Sequence, residues 1–344
     1  MQSFYRKGFL QVAEGMRKVT IVDIARKTGV SISTVSRVIN GNYPVKTSVK
    51  EKVKKAMDEM NYYPNTAARS LRNQSTYLMA FVIADLSNRF FMEIAKGLES
   101  VIMPYGYQLV ISATEGDEEK EDKIVQLLLN RQIDGLFLAS SSENQTIIEK
   151  CKKANTPLIL VDRAIDGTIF NQVIWNDKET TENLTSYLIN KGHRKIGIIN
   201  VSLNASTGKR RLQGYLSALA NSGIEVNKDY ISGSNFDSSQ SYAFMKKALE
   251  LENPPTAFVC CNNVMLDGAL AAANELKLKI NEDIDLVVFG NAECNKYLPT
   301  KITSAYQDTI KMGKTAGAMM MEILQSGKKE IEQVVIATEL MLVQ

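Results

Sequence analysis

Several residue types that carry enzymatic and metal chemistry are scarce in this chain. Its 344 residues include one histidine, four cysteines, one tryptophan and seven prolines. A lone imidazole, His193, excludes multi-histidine metal sites and makes a Ser–His–Asp triad a poor reading. Cys151, Cys260, Cys261 and Cys294 show no CxxC spacing, and an adjacent pair is ill suited to a disulfide. That pattern fits a reducing, cytoplasmic compartment. No metal and no cofactor is expected. No apolar run approaches the ~18–20 residues needed to cross a bilayer. The first fifteen residues hold Arg6 and Lys7 but no signal-peptide core, so neither a membrane nor an export role is expected. With 44% hydrophobic and 23% charged residues, the chain is too apolar to be disordered and long enough for two or three folded units.

Charge is unevenly spread. Residues 1–77 hold 14 Lys/Arg against 5 Asp/Glu, a net of +9, whereas the remainder nets −6. A small basic module ahead of a mildly acidic body points to a polyanion, because each neutralised phosphate releases condensed counterions.

The basic module has the pattern of a helix-turn-helix. Thr20 can cap a first helix, with Asp23 three residues on in a capping-box arrangement. Ile24, Ala25 and Thr28 share one side, and Gly29 permits the turn that follows. Ser31 can cap a second helix running to about Asn40, where GNYP breaks it. Val35, Val38 and Ile39 form its buried stripe, while Ser33, Thr34 and Arg37 face outward with Ile32 at the edge. A third helix from about Thr47 buries Val49, Val53, Ala56, Met57 and Met60 amid lysines. Such a second helix suits the major groove. Arg37 can pair with guanine O6 and N7, Ser33 with a base edge, and Ile32 with a thymine methyl. Thr34 and Ser36 are better placed for phosphates.

The combination of DIA, GVS, TVSRVIN, NYYPN and ARSL over residues 18–72 resembles the DNA-binding headpiece of the LacI/GalR family of bacterial transcription regulators. The resemblance assigns base reading to Ile32, Ser33 and Arg37. It assigns backbone contacts to Thr20, Ser31, Thr34 and Ser36, with Asn40 joining the DNA-binding set. After Pro64, the stretch NTAARSLRN is too short to form a stable isolated helix. By the same resemblance it is a hinge helix that orders on DNA in a dimer, with Leu71 wedged into the minor groove and Arg69 and Arg72 near phosphates or the groove. A plain flexible linker is the competing reading.

From Tyr77 onward, β-rich runs (LMAFVIADL, YQLVISAT, DGLFLAS, PLILVD, QVIWN, KIGIIN, TAFVCCN, DLVVFG, EQVVIA) alternate with amphipathic helical segments. This alternation implies parallel sheets covered on both faces, and the length favours two. The expected fold class is thus a small all-α helix-turn-helix headpiece plus a two-lobed α/β domain like periplasmic binding proteins. The expected divisions are an N-terminal extension at 1–17, expected to be disordered, a headpiece at 18–63, a hinge at 64–76 and a body at 77–344. In the body, one lobe takes 77–177 and 308–336, the other 178–307 and 337–344. Ligands of such sheets bind beyond the carboxyl ends of strands, here between lobes.

The resemblance extends to this body and marks effector-binding candidates. They are Asn88, Phe90 and Phe91 after the first strand, Asp162 and Arg163 after PLILVD, Arg211, Phe236, Asn262, Asn291 and Gln307. Lobe packing competes for the phenylalanines and a solvated ion pair for Asp162–Arg163; Arg210 leaves the arginine assignment ambiguous. Gly290 and Asn263 stand where the family commonly has aspartates. Fewer carboxylates beside an arginine favour a sugar acid or phosphorylated sugar over a neutral sugar. The expected function is a repressor, a homodimer on a palindromic double-stranded DNA operator, controlled by a sugar-like effector. The alternatives are a sugar-transport solute-binding protein and an α/β enzyme. Neither a P-loop nor GxGxxG supports the latter.

Overall fold

A computed structural model describes residues 19–40, 43–63, 75–143, 145–165, 170–233, 237–327 and 330–343. The chain forms two compact units, the second beginning at Ser75. The expected extension and nearly all of the expected hinge fall outside the described residues.

The first unit holds α1 (Ile21–Thr28), α2 (Ile32–Asn40) and α3 (Thr47–Glu59). The Thr20 backbone N–H and hydroxyl both donate to the Asp23 carboxylate, at 3.0 and 2.7 Å, and fix the start of α1. Gly29 ends it in the left-handed region at φ +66°. The Ser31 hydroxyl accepts from the Thr34 N–H and caps α2. Ile24, Val35 and Val53, one from each helix, are fully buried, with Ala25, Val38 and Ala56 beside them. This small core holds the outer face of α2 clear of the packing.

The second unit is built on two six-stranded sheets. The first contains β1 (Leu78–Ile83), β2 (Gln108–Ala113), β3 (Gly135–Leu138), β4 (Leu158–Asp162), β5 (Gln172–Trp175) and β11 (Gln333–Ile336), in the order β11-β5-β4-β3-β1-β2. The second contains β6 (Ile196–Asn200), β7 (Ile231–Gly233), β8 (Ala257–Cys260), β9 (Asp285–Phe289), β10 (Thr303–Tyr306) and β12 (Glu339–Met341), in the order β12-β10-β9-β8-β6-β7. All pairings are parallel except β10 with β12. The short strands β7, β10 and β12 were not among the apolar runs read from the sequence.

Helices cover both faces of each sheet, as strand alternation requires. In β1, Met79, Phe81 and Ile83 join the core under α4 (Arg89–Ile102) and α11 (Thr309–Ser326). Ala80 and Val82 face the separate cluster under α5 (Glu118–Asn130) and α6 (Thr146–Ala154). The second sheet packs with α7 (Asp177–Asn190), α8 (Ser206–Asn221), α9 (Ser238–Leu249) and α10 (Asn263–Glu275). The chain passes between sheets after β5, β10 and β11, at residues 176, 307–308 and 337–338. Two of these passages are tied together: Asn176 Oδ1 accepts from the Thr338 N–H, and the Thr180 and Thr338 hydroxyls lie 2.7 Å apart.

Helices α4 and α11 touch backbone to backbone. A Cβ on Gly313 would lie 2.1 Å from the Ile94 carbonyl oxygen, and one on Gly97 2.5 Å from that of Ile310. Helix propensity alone favours alanine over glycine by about 1 kcal/mol, whereas overpacking costs ~1–3 kcal/mol or more. Gly313→Ala is therefore expected to lower the urea midpoint of the body; an unchanged or raised midpoint would contradict this packing.

Candidate functional site

In the first unit the outward face of α2 presents Ile32, 48% exposed, with Ser33 and Arg37 also exposed. Thr34 and Ser36 are half-buried. The Ser31 hydroxyl lies 2.8 Å from both the Ser33 and Thr34 hydroxyls, so the helix start is a row of linked hydroxyls. The Arg37 guanidinium sits over the Tyr43 ring, 5.4 Å from its centroid. That stacking occupies its face and leaves its N–H edge available for a base. Thr20 spends its hydroxyl proton on Asp23. The Asn40 side chain and all of Arg69, Leu71 and Arg72 lie outside the described residues.

In the second unit a cleft of about 500 Å³, partly open to solvent, lies beyond the carboxyl ends of strands from both sheets. From the first sheet's side come Asp85, Asn88, Phe90, Phe91, Asp162 and Arg163. From the second come Thr207, Arg211, Asn262, Asn263, Val264 and Gln307. Eight of the ten effector-binding candidates therefore meet in one place. Phe236 lies outside the described residues. Asn291 does not line the cleft; its amide bonds both backbone groups of Gln307, at 2.8 and 3.2 Å, and so fixes the passage that carries Gln307.

Local backbone explains the placement. Asn88 caps α4 through an Oδ1 that accepts from the Phe90 N–H at 3.0 Å, and Asn262 caps α10 by accepting from Met265 N–H at 2.7 Å. Asp162 has φ +68°, and the Arg163 N–H donates to the Val161 carbonyl, closing a three-residue turn of the rarer, strained hand. Strain stored at a strand end beside a cleft is a mark of a functional position. Asp162 and Arg163 are 5% and 2% exposed, so they are not a solvated pair.

Arg211 is the centre of the cleft. Its Nε donates to Asp177 Oδ1 at 2.7 Å, its Nη1 to the Cys261 carbonyl, and its plane lies 3.9 Å from the Phe289 ring centroid. Arg210 instead lines a separate hollow with Trp175, Lys178 and Glu179, which resolves the ambiguity between neighbouring arginines. Burial pushes the Asp177 carboxyl up to about 6, with Arg211 acting against that rise. Burial likewise raises Asp162, against the pull of Arg211 and Arg163. It lowers Arg163, and it opposes the charge of Arg211, which Asp177 and Asp162 nevertheless raise. Glu121, raised by burial, accepts from the Ser140 hydroxyl and the Ser141 N–H behind Arg163.

Sequence reasoning missed Asp85, Thr207, Asn263 and Val264 as lining residues. Asn263 was noted only for the charge it lacks. Of the carboxylates, Asp85 and Asp162 line the cleft, and Asp177 and Glu121 stand behind it. Contacts across the cleft join the lobes. Lys209 pairs with Glu143 at 2.8 Å, Arg89 with Glu293 at 3.5 Å, and the Ala164 N–H donates to the Ser206 hydroxyl at 2.9 Å. His193 lies at the other end of the second sheet, bonded to Thr256 and Asp285 at the starts of β8 and β9.

Known proteins share both units. The family of periplasmic binding proteins and sugar binding domains of the LacI family matches residues 76–343, and that of bacterial regulatory proteins, lacI family, matches residues 20–65. The chain belongs to the LacI family. It is a DNA-binding transcriptional regulator with a small-molecule effector, not a transport solute-binding protein. This LacI-family chain is 31% identical over 312 residues to the HTH-type transcriptional repressor PurR of Aliivibrio salmonicida, spanning 90% of this chain and 94% of that protein. It is 32% identical over 318 residues to the ribose operon repressor of Haemophilus influenzae, spanning 92% and 95%. Its fold matches a lac repressor dimer bound to operator and the anti-inducer ONPF, with a TM-score of 0.79, 24% identity and coverage of 94% and 98%. Among the described residues no helix is long and apolar enough to cross a membrane.

The raised Asp177 carboxyl makes a prediction. Folded protein retains a proton between pH ~4 and ~6 that unfolded chain releases, so stability falls as pH rises through that window, by up to roughly 3 kcal/mol from this group. Asp177→Asn cannot titrate. Its stability relative to the parent should rise between pH 4 and 7 in urea unfolding; a difference independent of pH would contradict the burial argument.

Proposed function

We propose that this chain is a cytoplasmic repressor that acts as a homodimer on a palindromic operator and takes a sugar or sugar derivative between its lobes. The observation that carries the reading is the convergence of both lobes on Arg211 at the carboxyl ends of their strands. A ligand there touches both lobes at once, so its affinity differs between lobe arrangements, which is the condition for shifting a two-state equilibrium. The two-fold symmetry of a dimer mirrors that of a palindrome. Leu71, Arg69 and Arg72 are proposed as the hinge contacts, and Ile32, Ser33 and Arg37 as the base readers.

The protein is not proposed as an enzyme. The Cys151 and Cys261 thiols are pushed up to about 12 by burial, which suits packing and not nucleophilic attack. His193 sits away from the cleft-lining groups. Neither supplies a catalytic group there.

Arg37→Ala should cost ~1–3 kcal/mol at the operator and relax preference at one base pair in a randomised-duplex selection. Equal losses on operator and random DNA would refute base reading. Leu71→Ala should reduce operator bending more than nonspecific binding, read from gel-shift bend angles; an unchanged angle would dispose of the wedge. Arg211→Ala should abolish the effector response while operator binding without effector persists. The Arg211→Ala/Asp177→Asn double variant separates this from damage by an orphaned buried carboxylate. A retained response in both variants would place the ligand elsewhere.

A further inference from the structure

Tyr43 stands out from the surface of the headpiece, 66% exposed, although Val45, two residues on, packs half-buried against the headpiece core. Between them lies Pro44, whose ring disfavours a helical backbone at the residue before it and biases Tyr43 towards the extended region. The root of the Tyr43 side chain is therefore held from two sides while its ring is left in solvent. That ring faces the guanidinium of Arg37, 5.4 Å from the ring centroid. Arg37 itself is rooted on α2 between Ser36 and Val38, and Val38 is buried in the same core. Both partners thus rise from anchored backbone and meet at the surface.

An exposed arginine has a long, flexible stem, and fixing it on a base costs rotamer entropy. A carboxylate could hold the guanidinium in advance, but it would occupy the N–H groups that guanine O6 and N7 require. The described ion pairs of the headpiece are Arg26 with Asp23 and Lys27 with Glu59, and neither involves Arg37. An aromatic ring attracts the cation through its face and takes no N–H group from it. It is therefore a holding device compatible with bidentate base reading. Resting on the reading of Arg37 as a base reader, we propose that Tyr43 is a positioning residue for sequence discrimination. It acts through Arg37, by orienting the guanidinium before DNA arrives, and touches no base itself.

The test uses the full-length protein and the duplex it prefers in a randomised-library selection. Tyr43→Phe keeps the ring and removes the hydroxyl, whereas Tyr43→Leu keeps apolar bulk and removes the aromatic face. Tyr43→Phe should retain the parent's preference at the base pair that Arg37→Ala relaxes. Tyr43→Leu should weaken binding to the preferred duplex about two- to five-fold, the scale of an exposed cation–aromatic contact. It should narrow preference at that same pair and leave affinity for random duplex unchanged, with the melting temperature checking the fold. In an Arg37→Ala background, Tyr43→Leu should cost nothing more. An equal loss in that background would overturn the inference, since Tyr43 would then act independently of Arg37. A loss in Tyr43→Phe as large as in Tyr43→Leu would also overturn it, by assigning the effect to the hydroxyl. If Arg37→Ala relaxes a base pair and Tyr43→Leu leaves that pair's preference intact, the inference alone falls. If Arg37→Ala relaxes none, the base-reading assignment falls with it.

Discussion

The buried pairing of Arg211 with Asp177 is the contact on which the rest of the body's chemistry depends. One guanidinium ties the start of α7 to α8, to the carbonyl that follows β8 and to the aromatic ring that ends β9. Its field also reaches Asp162 on the other lobe. A buried ion pair contributes little to net stability, because desolvation cancels most of the attraction. Retaining one at a cleft is better understood as positioning: it holds a charged, multidentate donor where a ligand arrives, with its orientation already fixed.

Everything around that pair is arranged by strand ends. Parallel sheets deliver the turns after β1, β4, β8 and β10 to one side, and the passages between sheets bring the two sets of turns face to face. Backbone capping then decides which atoms the turns offer. Asn88 and Asn262 hold helix starts in place and, by doing so, become donors to whatever enters. Arg89–Glu293 and Lys209–Glu143 span the lobes at partly exposed positions, where each contributes modestly and is screened by salt.

Much of this was readable in the amino-acid order where physics is local. The Thr20–Asp23 capping box, the turn at Gly29 and the Val35–Val38–Ile39 stripe involve neighbours within four residues, and each is present. Long buried strands announce themselves as apolar runs. Strands β7, β10 and β12 have only three or four residues, and their pairing partners, not their composition, make them strands. Most of the lining residues followed from family resemblance together with strand ends. Thr207 and Asp85 carry no pattern that distinguishes them from any polar loop residue. The choice between Arg210 and Arg211 depends on helix phase, and the role of Asn291 on a hydrogen bond to a chain segment sixteen residues away. Asp177 and Glu121 were not singled out in the sequence because they come from elements whose approach no linear spacing reveals.

The central claim is that one small molecule engages both lobes around Arg211. Hydrogen–deuterium exchange of the full-length protein, with and without a compound that raises its melting temperature, tests it most directly. The account predicts that binding slows exchange at once in segments 85–91 and 162–165 of one lobe and in 205–211, 262–266 and 305–308 of the other. Protection confined to a single lobe, or falling on segments remote from all of these, would contradict it.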